Sequence, residues 1–357
     1  MEFRSDDNTR GFDPYIPGDV SPSEEPDSDH PEWWTSVCRT PTPVSAALGQ
    51  ENLNVNEYIR VEFGSDQEAA LFEVVADPAF EDFLKVTTPD GMRKSTKLKI
   101  TWDDAGRADT DILRIAVFLY PAGTKAKVEA GESGWPAAAR TLHVMVMPEQ
   151  RLKLGIWNVY DPRYLQQTKS TVAPDPLAML KRVNHAYRQA CVVFDPIPRQ
   201  DPNVDHSIRG VEYDSDRNNM ALDFSEGINL VRPVFPKAGT VNVVLIRNLT
   251  ESSAYTLPRT SQTAGDMTFI ALRNFESQQT IAKLNIYVPE TCAHEVGHQL
   301  LLSTRITNGE FHDSGPFPDE AKNPLMSTSD SFGRQDWLRH EDWEAANLQA
   351  KKIKEKP

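Results

Sequence analysis

Thr291-Cys292-Ala293-His294-Glu295-Val296-Gly297-His298-Gln299-Leu300-Leu301-Leu302 is the stretch around which the rest of the chain is read. On a helix, residues four apart share a face, so His294 and His298 present two imidazoles to one point while Glu295 stands one step round from them. Chemistry with a metal and an adjacent base needs this pattern. Two neutral imidazoles hold a Zn²⁺ ion, and the carboxylate takes the proton of a water that attacks a carbonyl. The pattern H-E-x-x-H fixes three identities in five, so its flanks must support it. Upstream, Leu284-Asn285-Ile286-Tyr287-Val288 alternates as a strand, Pro289 ends it, and Glu290 or Thr291 opens the helix. A surface helix with two incidental histidines is the bland reading. With only eight His in 357 residues, two at this spacing beside a Glu argue for a shared task.

The length allows two domains with separate cores. Hydrophobic content of 39% and a mean hydropathy of -0.51 fit a globular chain. A net charge of -14 argues against nucleic acid or an anionic membrane surface as the main partner. Cys38, Cys191 and Cys292 are far apart and odd in number, with no C-x-x-C pair, so neither a disulfide framework nor a Cys-based zinc site is indicated. No window approaches a membrane span. The N-terminus lacks the basic segment and apolar run of an ordinary secretion signal. Cytoplasmic residence, or export by a signal-independent route, is the expectation.

Residues 1–45 form a segment of their own. From Met1 to Ser36, two basic residues against ten acidic ones give a net of -8, and Pro14, Pro17, Pro22, Pro26 and Pro31 recur among Ser and Asp. Such a stretch buries too little apolar surface to fold alone, so a disordered arm able to dock a partner is expected, pinned to the body by Trp33-Trp34 and Cys38. Residues 46–150 read as short strands: Ile59, Val61 and Phe63 alternate, as do Leu98, Ile100 and Trp102, then 112–119 run apolar, then Leu142, Val144 and Val146 alternate. Asp90-Gly91 and Pro121-Ala122-Gly123 mark turns. A small all-β sandwich domain follows, with His143 as a structural or exposed residue of its last strand.

Over residues 151–357 strand and helix mix, an α+β arrangement. Strands are expected at 152–156, 192–194, 241–246 and 268–272. Asp175 as N-cap and Pro176 at the first helical position open a long helix that keeps its spacing through Cys191. A C-terminal helix is expected over 333–354, with Trp343, Ala346, Ala350 and Ile353 as its apolar stripe.

A catalytic zinc takes three protein groups and water, so the sequence after His298 must supply one more. Asn308-Gly309 signals a turn, His312-Asp313 follows it, and His312 on a returning loop is the first candidate. Glu310, Asp313 and Glu320 are competing carboxylates, with Glu320 next in rank. Further on, Asn323-Pro324-Leu325-Met326-Ser327 is a compact apolar turn.

With these residues together, the chain resembles the metzincin group of zinc metallopeptidases, which carry H-E-x-x-H-x-x-G-x-x-H, a turn built around a methionine beneath the metal, and a C-terminal helix. His294, Glu295 and His298 match directly, His312-Asp313 resembles the third ligand and its following Asp, and Met326 resembles the turn methionine. Leu301 and Thr304 stand where the pattern asks for Gly and His. The third His therefore comes eight positions late, as after an insertion over 303–311. That spacing also leaves room for a gluzincin-type site completed by a downstream Glu. The resemblance covers residues 151–357. It implies a zincin-like catalytic domain, one catalytic Zn²⁺, a protein or peptide substrate laid along an edge strand such as 268–272, and Glu295 as general base. Cell-wall peptide hydrolysis would use the same residues. No G-x-S-x-G, P-loop or G-x-G-x-x-G occurs. A binding protein with a structural metal is the reading from another class, and an exported effector is compatible with the acidic arm and absent signal.

Overall fold

Alternation in the first part of the chain is realised as strands. The computed structural model describes residues 2–5, 13–14, 33–38, 56–62, 67–75, 84–87, 95–102, 111–121, 140–160, 170–171, 174–197, 207–209, 222–223, 238–247, 249–250, 261–264, 267–272, 281–300, 306–307, 310–311, 323–325, 335–338 and 340–355. In chain order the first strands are β1 (Glu2–Ser5), β2 (Asp13–Pro14), β3 (Trp33–Cys38), β4 (Asn56–Glu62), β5 (Gln67–Val75), β6 (Leu84–Thr87), β7 (Ser95–Trp102), β8 (Asp111–Pro121) and β9 (Arg140–Met147). They pair as two sheets, β1-β4-β7-β6 and β2-β3-β9-β8-β5.

Residues 1–45, read from composition as an arm unable to fold alone, contribute three of these strands. β3 runs parallel to β9, with Trp33 opposite Leu142 and Cys38 opposite Met147. Its Ser36 hydroxyl donates to Gln189 Oε1 at 2.6 Å, and Cys38 is buried in the main core beside Met145 and Met147. The partner strand supplies the backbone bonds and the cover that the segment lacks by itself.

Past Pro148-Glu149 the chain enters a second architecture: β10 (Gln150–Tyr160), β11 (Val192–Pro196), β12 (Ser207–Arg209), β13 (Leu222–Asp223), β14 (Thr240–Ile246), β15 (Leu249–Thr250), β16 (Ser261–Ala264) and β17 (Met267–Ala271). One sheet has the order β11-β10-β14-β17-β16, with β12 alongside β10. It is parallel except for β16, which runs antiparallel to β17. With three helices among the described residues, the chain is mixed α/β around a parallel sheet. The expectation that 268–272 lies at the sheet edge is corrected here: β17 sits between β14 and β16.

A backing helix, Pro176–Tyr187, starts where capping chemistry places it. The Asp175 carboxylate accepts from Leu177 N at 2.9 Å and Pro176 takes the first helical position. The helix stops at Tyr187 rather than running through Cys191. A 3-10 turn, Arg188–Ala190, tightens the end, and Cys191, at φ 53°, sends its N–H back to Arg188 O and turns the chain into β11. Asn184 on the backing helix then closes the β11 edge: its amide donates to Phe194 O at 3.0 Å and accepts from Phe194 N at 2.7 Å.

The motif helix spans Ile281–Gln299 and carries Pro289 inside it, so the strand expected at 284–288 is helical instead. Pro289 lacks an N–H for Asn285 O, and proline inside a helix costs about 3 kcal/mol. Burial outweighs it: Val288, Cys292, Val296 and Leu300, each four apart, are all fully buried, while Ile286 is 50% exposed. That period of four belongs to a helix.

A C-terminal helix covers His340–Glu355, starting later than the expected 333. Before it, β21 (Gln335–Trp337) pairs in parallel with β20 (Asn323–Pro324), so its backbone groups go to another segment. Between the last two helices, β18 (Ile306–Thr307) and β19 (Glu310–Phe311) form an antiparallel pair; the turn expected at Asn308-Gly309 lies outside the described residues.

The core explains how these parts meet. Leu152 and Leu154 of β10, Val241, Val243 and Leu245 of β14, and Ile270 of β17 share one cluster with Val183 and Tyr187 of the backing helix, Val288, Cys292 and Val296 of the motif helix, and Trp343, Ala346 and Ala350 of the C-terminal helix. All three helices therefore cover one face of the sheet. Asn347 donates to Pro148 O and Ala190 O, both at 2.8 Å, and ties the C-terminal helix to the passage between the two architectures. Among the described residues, no helix is long and apolar enough to cross a membrane.

Candidate metal centre

His294, Glu295 and His298 lie in the last two turns of the motif helix. Helical spacing brings their side chains to one place: one ligand atom from each residue lies within 4.8 Å of those of the other two. The imidazole rings stand edge to face, with centroids 4.9 Å apart and an interplanar angle of 81°. Both rings are half-buried, whereas Glu295 is buried.

His294 is held from outside the helix. Its Nδ1 lies 2.6 Å from the carbonyl oxygen of Leu325. A carbonyl oxygen only accepts, so Nδ1 is the donor, and in the neutral ring the lone pair then lies on Nε2. An outer hydrogen bond of this kind fixes both tautomer and ring orientation in metal-binding histidines. Two imidazoles with a carboxylate beside them form a donor set that suits Zn²⁺. The group can hold a metal ion.

Neighbouring elements fix the backbone of the motif. The Tyr187 hydroxyl of the backing helix donates to Ala293 O at 2.7 Å. The Thr268 hydroxyl of β17 donates to Glu295 O at 3.2 Å. Gln299 uses its side-chain amide twice, donating to Thr268 Oγ1 at 2.8 Å and to Asn242 O of β14 at 2.9 Å. Cys292, one turn before Val296, faces the apolar core. Burial, and next the charge of Glu295, push its thiol well above the ordinary range. Burial likewise pushes the Tyr187 phenol up, with Cys292, Asp342 and Glu295 adding to it, which keeps its O–H available to Ala293 O.

Of the residues singled out in sequence, His294, Glu295 and His298 come together as one group. His312, Asp313, Glu320 and Met326 lie outside the described residues. His143 is buried in β9. Sequence reading missed Leu325, Thr268 and Gln299. Gln299 carried a signal, as a polar residue heading the apolar run 300–302. A backbone carbonyl such as that of Leu325 leaves none. A scan against known protein families and a search of curated proteins both find no match for this chain.

Proposed function

We propose that this chain is a zinc-dependent peptidase that hydrolyses amide bonds, with Glu295 as general base and His294 and His298 as metal ligands. The observation that carries the reading is the convergence of the three side chains within 4.8 Å, together with the commitment of His294 Nδ1 to Leu325 O. A bound zinc ion supplies Lewis acidity, polarising a carbonyl and making an adjacent water acidic. Glu295 accepts the proton of the attacking water and returns it to the leaving nitrogen. Its buried position, with the main chain pinned by Thr268, supports a base held in a fixed place. Structural zinc sites are closed by four protein ligands; two half-buried rings beside an acid support an open one instead.

In this reading residues 151–357 form a zincin-like, metzincin-type domain and the strands of 46–150 an accessory all-β domain. His312 is the third ligand, with Glu320 or Asp313 as the competing choices. The antiparallel pair β18-β19 supports His312, because its returning strand ends at Phe311, one residue before that position. The free edge for an extended substrate is β16, which among the described residues pairs only with β17 and lies against the motif helix.

The test is zinc content and peptide hydrolysis in the wild type and in Glu295→Gln. We expect one zinc per chain in both, with turnover in the variant lower by about 10²-fold or more. A wild type without zinc, or a variant that turns over normally, overturns the reading.

A further inference from the structure

His298 is the penultimate residue of the motif helix, the part of any helix where the carbonyls run out of intrahelical donors and the end frays. A ligand pair four residues apart exists only while the helix stays wound through both members. His294 has Leu325 O to hold it. For the last turn, the polar chain from Gln299 takes that part. Gln299 is 3% exposed and Thr268 fully buried. The Gln299 amide reaches Asn242 O on β14 and Thr268 Oγ1 on β17, and the Thr268 hydroxyl passes on to Glu295 O. Two neighbouring strands are thereby tied to the residues on either side of His298. Water is excluded, so each of these bonds is costly to leave unmade.

We propose that Gln299 and Thr268 form a latch that winds the last turn of the motif helix against the sheet and so presents His298 and Glu295 in register before any metal arrives. Both are positioning residues, acting on the motif through the main chain at Glu295 O and through each other. The inference rests on the zinc reading given above, which it deepens by naming what preorganises the site.

The test uses the full chain as wild type, Thr268→Val, Thr268→Ser and Gln299→Leu. Valine keeps the shape of threonine without its hydroxyl, and serine keeps the hydroxyl. Two quantities are read: the zinc dissociation constant by competition with a chromogenic chelator, and amide exchange of Leu300 in the metal-free protein, whose N–H donates to Val296 O at 3.0 Å. Loss of an outer-shell partner weakens metal binding by about 10- to 100-fold; we expect that loss, with faster exchange at Leu300, in Thr268→Val and Gln299→Leu. Thr268→Ser should restore both readouts. A merely structural role would lower melting temperature without a change in zinc affinity. A folded Thr268→Val with wild-type affinity and exchange overturns the latch alone, even if Gln299→Leu does not fold. A wild type that takes up no zinc overturns the zinc reading, and unchanged exchange then overturns the latch independently.

Discussion

His294 Nδ1 and the carbonyl oxygen of Leu325 meet at 2.6 Å, and this contact splits the histidine into two halves with separate duties. One nitrogen serves the fold, by satisfying a buried carbonyl; the other is the one that the zinc reading assigns to the metal. Asparagine reproduces the first half and glutamine reaches only toward the second. His294→Asn should therefore melt within about 2 °C of the metal-free wild type while retaining no zinc. His294→Gln leaves the Leu325 carbonyl without its donor, at a cost of about 1–3 kcal/mol, or roughly 2–6 °C. Thermal melts of the metal-free proteins check this; equal melting of the two variants would sink it.

Much of this site was legible because its chemistry is local. His294, Glu295 and His298 sit within one helical turn, so their meeting follows from the period of the helix alone. Their supports are not local: Thr268, Leu325 and Asn242 lie 27, 31 and 57 positions in the chain from the residues they bond, where no pattern in the sequence marks them. Leu284 to Val288 shows a different failure. Its apolar residues fit a period of two, and Pro289 looks like a stop, but the longer run Val288, Cys292, Val296, Leu300 fits a period of four across the proline. Packing of that stripe on the sheet decided the conformation. The strand Trp33–Cys38 was hidden for the opposite reason, since composition describes what a segment can bury by itself and β9 supplies the rest.

The third ligand is settled by single substitutions downstream of the motif helix. β18 and β19 pair antiparallel, Ile306 with Phe311 and Thr307 with Glu310, so the chain has already reversed by Phe311, one residue before His312. We expect His312→Ala to abolish zinc retention after gel filtration, whereas Asp313→Ala and Glu320→Ala keep about one zinc per chain, as a single catalytic ion requires. Loss of zinc in Glu320→Ala alone would move the site to the gluzincin type.

Two glycines should fail for different reasons. Gly239 has φ +61° and open space around it, an added Cβ meeting only Lys354 Cα at 3.9 Å. Its N–H donates to Ile353 O and its carbonyl accepts from Lys153 N, contacts that alanine preserves. Gly239→Ala should cost only the left-handed backbone, about 1–2 kcal/mol. Gly155 is crowded instead: a Cβ there would lie 2.5 Å from Trp157 Nε1 and 3.0 Å from Asn242 Oδ1, two atoms that are hydrogen-bonded to each other at 3.0 Å. Overpacking costs about 1–3 kcal/mol, and here it displaces Asn242, whose carbonyl anchors Gln299. Both variants should melt lower, but only Gly155→Ala should also bind zinc more weakly. Equal zinc affinity in the two would contradict the link from β10 to the motif.

Alkaline instability should trace to Cys292. Burial and the charge of Glu295 raise this thiol in the folded protein, whereas the unfolded chain ionises it from its ordinary value of 9.0. Above that value the unfolded state binds fewer protons than the folded one, so stability falls as pH rises, and it is fully present below. Tyr187, raised mainly by burial, adds a second loss above its ordinary 10.0. Each such group contributes a slope of about 1.4 kcal/mol per pH unit once the unfolded side chain is ionised. In denaturant titrations of the metal-free protein, the wild type and Cys292→Ala should run parallel up to about pH 8 and then converge at that slope, because alanine has no proton to lose. Curves that stay parallel into the alkaline range would show that the thiol ionises as readily in the fold as out of it, and that the core around Cys292, and with it the seat of the motif helix, is open to water.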